Sequence, residues 1–288
     1  PRSGPDFCLR KGLFRVMTNK IFNVFLILIL AVTTLFLVAP LVTIIWEGTG
    51  SLVPSLASEE TVFAIRLSLK TTVVATLICM FFSIPASYRL HTMSGRFKKL
   101  FVNILYLPMS LPHLVSGMAL LLLYGRRGIG DFLENCFNID FIFTQSGIIL
   151  ALVFVNLPFA VNMVLAALEE SNGKMVFVAR TLGCNEMQAF FRITLPSLQR
   201  TVVSAAVMTW SRALGEFGAV IMVAGSTRLK TEILPTAIYL NMATGDVDIA
   251  TGISVLLILI SFACLLLFEL LMPSKSKKSR TGRHRKSC

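Results

Sequence analysis

The feature that most constrains this chain is a series of long apolar runs that carry almost no charge. Each run is about twenty residues or longer, and a helix of that length crosses a hydrocarbon core of about 30 Å. The runs are continuous and do not alternate with polar residues, so they favour helices over a membrane β-barrel. We therefore predict an all-α integral membrane protein with six transmembrane helices, at residues 22–46, 62–88, 100–124, 146–168, 198–224 and 249–272.

Composition agrees with a membrane protein and excludes a soluble one. Of the 288 residues, 55% are hydrophobic and only 15% are charged, whereas about 25% of residues are charged in soluble domains. The net charge of +12 could indicate a nucleic-acid partner, but the basic residues cluster before the first span, after the second and fourth, and in the C-terminal tail. These regions share one side of the membrane if the spans alternate. The positive-inside rule then places both termini in the cytoplasm.

The same topology divides the chain and accounts for its cysteines. Residues 1–21 are a basic cytoplasmic lead, residues 22–272 form the transmembrane domain, and residues 273–288 are a basic cytoplasmic tail without hydrophobic residues. Of the six cysteines, only Cys136 faces outward, so we expect no disulfide within the chain. The sequence contains no metal-ligand spacing and no phosphate-binding glycine motif, and we expect no cofactor.

A polar segment, residues 169–196, separates the fourth and fifth runs and has its own helical pattern. Gly183 is placed to end a first short helix, and Asn185 is placed to cap a second, with Gln188 three residues later as the capping-box partner. We expect Ile193 to Pro196 to close this second helix and to begin the next apolar run. The helices present apolar side chains to water, and such surfaces bind partners. An amphipathic segment lying on the membrane surface is the alternative.

The spacing from Ala179 through Gly183 to Ile193, Leu195 and Pro196 resembles the signature loop of permeases of ABC importers. The family's Glu-Ala-Ala opening reads Phe177-Val178-Ala179 here, so the acidic residue is missing. The resemblance implies that this segment is a coupling helix that docks into an ATPase subunit. The residues it assigns to coupling are Val178, Ala179, Arg180, Leu182, Gly183, Met187, Phe190, Ile193 and Pro196.

Charged residues inside the fifth run form the second candidate site. Arg212 is predicted to lie near mid-membrane, and Glu216 one turn later on the same helix face, where an i, i+4 pair relieves part of the cost of two buried charges. In the third run, two prolines predict a broken helix, which is tolerated only where protein or water covers it. His113, beside this break, is expected to be hydrogen-bonded within the bundle. The candidate pathway residues are Pro112, Ser116, Arg212, Gly215, Glu216 and Gly218. The alternatives are a buried structural pair and a kink that serves packing alone.

The stretches from Arg212 to Gly225 and from Thr231 to Ala250 are similar to permeases for molybdate, tungstate and sulfate. This resemblance implies an importer subunit for a tetrahedral oxyanion, molybdate or tungstate first and sulfate second. It implies four kinds of partner: a second copy of the chain, two ATPase subunits, an extracytoplasmic solute-binding protein and membrane lipid. The permease itself would not be an enzyme, and it would lie in the plasma membrane or in an organelle membrane of prokaryotic descent. The rival functions are a transporter or channel that needs no ATPase, and a membrane enzyme.

Overall fold

The structure, a computed structural model, describes residues 5–126, 128–171 and 174–271, with side chains described in residues 22–126, 128–171 and 175–266. All regular secondary structure in these ranges is helical, which confirms the predicted class. The predicted tail 273–288 lies outside them. The helices are α1 (Pro5–Gly48), α2 (Leu52–Ala57), α3 (Glu59–Thr92), α4 (Gly95–Ser110), α5 (His113–Tyr124), α6 (Gly130–Phe137), α7 (Gln145–Glu170), α8 (Lys174–Thr181), α9 (Glu186–Ala189), α10 (Leu195–Leu214), α11 (Gly218–Ala224), α12 (Leu234–Thr244) and α13 (Val247–Leu271).

Four helices are long and apolar enough to cross a membrane without interruption, namely α1 from Phe22 to Gly48, α3, α7, and α13 from Val247 to Leu266. Two more candidates are bent pairs: α4 with α5, at 106°, and the Glu186–Leu214 helix with α11, at 62°. Counting each pair as one span gives six. The break in the third span was predicted from its prolines. The fifth span was predicted as one helix, and that prediction is wrong.

The centre of the bundle is the packing of α3 on α7. The face of α3 that contacts α7 carries small residues, including Ala75, Cys79 and Ser83, all buried. Apolar side chains gain little from leaving lipid, so helices in membranes associate through close packing of small residues. The Ser87 hydroxyl donates to the Val161 carbonyl at 2.9 Å, which joins the two helices further along. The spacing of small residues along α3 thus sets which of its faces is covered.

The second half of each bent pair packs against the other. An added Cβ at Gly117 of α5 would lie 2.8 Å from the Ala219 carbonyl oxygen, and one at Gly218 of α11 would lie 3.0 Å from the His113 Cβ. Helices this close require glycine at the contact. The two contacts also show that α5 and α11 run in the same direction, because they place the start of α11 beside the start of α5.

The helix that begins at Glu186 does not end before Pro196. It runs through α9, a π-helical turn at Phe190–Thr194 and α10 as far as Leu214. The prediction that residues 193–196 close the second helix is therefore wrong. A proline inside an α-helix clashes with the carbonyl four residues earlier. The wider π turn just before Pro196 is a local adjustment of the kind that accommodates proline in membrane helices.

The segment between α11 and α13 folds back onto the bundle. Its helix α12 packs on α3 and α13, and Leu234 and Ala237 are buried there with Ala64 and Ile253. The Leu234 backbone N–H donates to the Ser68 hydroxyl at 2.8 Å. By contrast, the span in α1 packs along α13, and most of its side chains are exposed within the single chain.

Candidate functional site

The polar segment forms the predicted helix–glycine–helix unit, which we call the coupling segment and define as residues 174–196. Gly183 has φ = +91° and lies between α8 and α9. The Asn185 side chain accepts from the Gln188 N–H at 2.8 Å, and the Gln188 side chain accepts from the Asn185 N–H at 3.2 Å. This is the predicted capping box. Glycine adopts positive φ without a Cβ penalty, so the turn between the helices depends on that residue.

Most of the candidate coupling residues are on the surface of the chain. Leu182 is 80% exposed and Met187 is 70% exposed in the single chain. Val178, Arg180, Gly183 and Pro196 are also exposed, whereas Phe190 and Ile193 are half-buried and Ala179 is buried. The segment therefore exposes several apolar side chains, whereas Ala179 is buried.

The coupling segment is attached to the bundle through Tyr88, near the end of α3. The ring of Phe190 packs on the Tyr88 ring with 4.5 Å between centroids. The Tyr88 hydroxyl lies 3.5 Å from the Glu186 carboxylate. Sequence reasoning missed this anchor, because Tyr88 lies far from the segment in the chain. These contacts thus join the segment directly to the last turns of α3.

At the second site, beside the two helix breaks, the His113 side chain contacts both Glu216 and Arg212. His113 Nδ1 lies 2.7 Å from a carboxylate oxygen of Glu216. The other ring nitrogen, Nε2, lies 3.4 Å from Nη2 of Arg212. The Arg212 guanidinium carbon is 5.5 Å from the centroid of the Phe159 ring, at the range of a cation–π contact. We call Arg212, His113 and Glu216 the break-site triad.

The predicted i, i+4 pair between Arg212 and Glu216 is wrong. α10 ends at Leu214 and Gly215 is its C-cap, so Glu216 lies in the break and not on the helix face of Arg212. The second Glu216 carboxylate oxygen accepts from the Ala219 N–H at 3.0 Å, at the start of α11. A carboxylate at this position satisfies a backbone donor that the helix leaves unpaired. The expectation that His113 is hydrogen-bonded within the bundle is confirmed.

The remaining pathway candidates lie around the same breaks but differ in exposure. Pro112 precedes α5 and is exposed, and Gly215 is exposed at the end of α10. Gly218 lies against the backbone of α5. Ser116 is fully buried, and its hydroxyl has no hydrogen-bond partner among the residues that the structure describes. The structure thus brings Pro112, Gly215 and Gly218 to the break-site triad and buries Ser116 in the packing behind it.

A small polar cavity of about 70 Å³ lies where the segment between α11 and α13 meets the start of α3. Its lining includes Glu60, Arg228, Glu232, Asn241 and Asp246. Arg228 Nη1 pairs with Glu60 at 3.1 Å, whereas one Glu232 oxygen is buried without a hydrogen-bond partner. Burial, assisted by the Glu60 carboxylate, raises the pKa of Glu232 above its usual value, against the opposing effect of Arg228. Sequence reasoning missed this carboxylate.

Comparison with known proteins gives the chain a family. Residues 90–277 match the family described as "Binding-protein-dependent transport system inner membrane component". The chain is 35% identical over 226 residues to the molybdenum transport system permease protein ModB of Mycobacterium tuberculosis, covering 78% of this chain and 84% of ModB. It is 30% identical over 273 residues to the sulfate transport system permease protein CysW of Synechocystis, covering 93% of this chain and 96% of CysW.

A third relative and a solved structure are also similar to the chain. The chain is 30% identical over 251 residues to the molybdate/tungstate transport system permease protein WtpB of Methanocaldococcus jannaschii, covering 87% of this chain and 95% of WtpB. Its fold is similar to a chain of a bacterial ABC transporter that imports the polysaccharide alginate, with a TM-score of 0.74, 19% identity, and coverage of 90% of this chain and 97% of that one. The expectation of a transport component and not an enzyme is confirmed. The chain belongs to the family of inner-membrane permease components of binding-protein-dependent ABC importers.

Proposed function

We propose that the chain is the permease subunit of an ATP-driven importer for a tetrahedral oxyanion, with molybdate or tungstate as the substrate and sulfate as the alternative. The observation that carries this proposal is Arg212. Its guanidinium lies at a helix break with no carboxylate within 4.0 Å among the described side chains. An arginine in that state offers planar, paired N–H donors that suit the oxygens of an oxyanion. The names of three relatives, for molybdenum, molybdate/tungstate and sulfate transport, support the same substrate class.

A second copy of the chain completes the proposed pathway. The His113 side chain is 36% exposed in the single chain, so the break-site triad has an open side. An anion passing there needs a wall opposite, and a two-fold related copy supplies one with the same residues. In this assembly, six-helix subunits pair as a homodimer, with residues 22–272 as the transmembrane domain. An extracytoplasmic solute-binding protein delivers the anion.

Two ATPase subunits bind the coupling segments. The exposed side chains of Leu182 and Met187 favour a docking role, because an apolar helix face commonly fits a groove on a partner. The attachment of Phe190 to Tyr88 supports transmission of ATPase movement to α3. These separate subunits, and not the permease chain, hydrolyse the ATP.

The proposed orientation places the coupling segment and both termini in the cytoplasm of a cell whose plasma membrane holds the protein. Two free cysteines can test it. Cys136 is exposed in α6, and Cys184 is partly exposed in the coupling segment. A membrane-impermeant maleimide should label Cys136 in intact cells and Cys184 only after permeabilisation, with Cys136→Ser and Cys184→Ser variants as controls. The reverse labelling order would contradict the orientation.

Transport itself is tested in proteoliposomes that contain the chain, its ATPase and its solute-binding protein. We expect ATP-dependent uptake of labelled molybdate and tungstate, with mutual competition, and weaker competition by sulfate. Sulfate uptake with no effect of molybdate would select the alternative substrate. Uptake of none of the three anions would reject the oxyanion class. Uptake that persists without the ATPase would reject an ATP-driven importer.

A further inference from the structure

The side chain of His113 separates two opposite charges that the sequence places four residues apart. Glu216 has both carboxylate oxygens engaged, one with His113 Nδ1 at 2.7 Å and the other with the Ala219 N–H at 3.0 Å. Its side chain is only 2% exposed. A buried carboxylate is costly without hydrogen-bond donors, so these two contacts are what hold it in place.

Arg212, on the other side of the imidazole, is much less engaged. Among the described residues, its guanidinium has one hydrogen-bonding contact, His113 Nε2 at 3.4 Å, which is long for a hydrogen bond. Its Nε atom is buried and has no hydrogen-bond partner in the described part of the chain, and its guanidinium carbon lies 5.5 Å from the Phe159 ring centroid. In the neutral tautomer that donates from Nδ1 to the carboxylate, the unprotonated Nε2 faces the arginine as an acceptor. Within the described residues, the guanidinium therefore keeps most of its donors free.

The attraction between the two charged groups is strong at short range in a low-dielectric setting. A direct, bidentate arginine–carboxylate pair would occupy the donors that an anion needs. Helix α10 ends between the two residues, with Gly215 as its C-cap. The flexible backbone at this glycine gives the carboxylate freedom to move toward the guanidinium. The imidazole occupies the space between them.

We propose that His113 is a positioning residue that keeps Glu216 from pairing with Arg212 and so leaves the guanidinium available to the transported oxyanion. This inference rests on the proposed function for the identity of the anion, but not for the geometry. His113 does not bind the anion itself. It acts by holding the carboxylate through Nδ1 and by presenting only an acceptor to the arginine.

The direct test is a structure of the assembled transporter that carries His113→Ala, determined by cryo-electron microscopy. We expect the Arg212 guanidinium within salt-bridge distance of the Glu216 carboxylate. An unchanged separation would overturn the inference. This readout does not depend on which anion is transported, so it separates failure of the inference from failure of the proposed function.

The functional test uses the ATP hydrolysed per molybdate, tungstate or sulfate delivered in proteoliposomes. His113→Ala should raise this ratio at least fivefold, because cycles proceed while the anion finds its arginine occupied. The double variant His113→Ala/Glu216→Gln should return the ratio to within about twofold of wild type, because an uncharged amide no longer competes for the guanidinium. His113→Asn, whose amide N–H can replace Nδ1, should give a smaller rise than His113→Ala.

A role in packing alone predicts the opposite order, because the double variant would then be at least as defective as His113→Ala. That result would overturn the inference. Co-purification with the ATPase and elution on size exclusion show whether each variant assembles. If His113→Ala does not assemble, His113→Gln takes its place in the same comparison, since it keeps an acceptor toward Arg212 but loses the Nδ1 donor to Glu216. A ratio for His113→Gln no higher than for His113→Asn would then overturn the inference.

Discussion

The coupling segment and the break-site triad are built in opposite ways. In the coupling segment the defining contacts are local: the capping box joins residues three apart, and the turn depends on the backbone of Gly183. In the break-site triad the defining contacts are long-range, and the Arg212–His113 contact joins residues 99 apart in the chain. A segment that docks on a partner has to keep its shape without a core around it. A site inside the bundle can borrow its geometry from helix packing.

This difference predicts separate defects. Changes in the coupling segment should affect binding of the ATPase and leave the bundle intact. Changes at the helix breaks should affect the bundle or the passage of the anion and leave ATPase binding intact.

Gly183→Val should have the largest effect. Its φ of +91° disfavours a β-branched residue, at a cost of about 1–3 kcal/mol, so the relative placement of α8 and α9 changes. We expect ATP-dependent uptake to fall at least about tenfold, with loss of co-purifying ATPase. Gly183→Asn is the control, because asparagine tolerates positive φ. Normal ATPase binding together with normal uptake in Gly183→Val would contradict the docking role.

Leu182→Ser should reduce ATPase binding without destabilising the permease. The side chain is 80% exposed, so its loss leaves no cavity in the permease. A residue at the centre of an interface contributes more than about 1 kcal/mol to the binding free energy, which is roughly fivefold in affinity for the ATPase. Titration of purified ATPase onto the reconstituted permease gives the affinity. The control is Ile129→Ser, an exposed apolar residue on the loop after α5. Equal losses in the two variants would show that the coupling segment has no special part in docking.

Gly117→Ala should destabilise the bundle and spare ATPase binding. The added methyl would lie 2.8 Å from both the Ala219 carbonyl oxygen and the Met222 Cβ, so α5 and α11 must separate. Overpacking of this kind costs about 1–3 kcal/mol. We expect a lower melting temperature in detergent and slower uptake. Gly50→Ala is the control, because nothing lies within 4 Å of its added Cβ. An unchanged melting temperature would contradict the close packing of the two breaks.

Glu232→Gln should have the smallest effect, visible only through pH. The raised pKa means that the folded state holds the Glu232 proton when the unfolded state has lost it. The stability that this proton contributes is present below pH 4.5, which is the ordinary pKa of a glutamate side chain, and is lost as pH rises through the pKa of Glu232 in the folded state. Glutamine does not ionise, so the melting temperature of Glu232→Gln relative to wild type should increase from pH 4.5 upward. The exposed Glu134→Gln gives the baseline, and a difference that falls with pH would contradict the burial argument.

The sequence was sufficient where signals are local or strongly periodic. Apolar run length predicted the six spans, and Gly183 with Asn185 and Gln188 predicted the helix–glycine–helix unit. The prolines around Pro112 predicted the first break. The second break was missed because Gly215 alone does not end a helix. The position of the break depends on the packing of α11 against α5 and on the Glu216 carboxylate, which accepts from the Ala219 N–H at the start of α11. The anchoring of Phe190 on Tyr88 was missed for a similar reason, since no local pattern records a contact between distant helices.

We infer that docking of the ATPase and handling of the anion reside in these two separate regions. The most direct measurement is receptor-stimulated ATP hydrolysis and oxyanion uptake, recorded in the same proteoliposomes for Gly183→Val and for His113→Ala. We predict that Gly183→Val loses hydrolysis and uptake together, whereas His113→Ala retains most of the hydrolysis and loses most of the uptake. The same pattern of loss in both variants would contradict the claim.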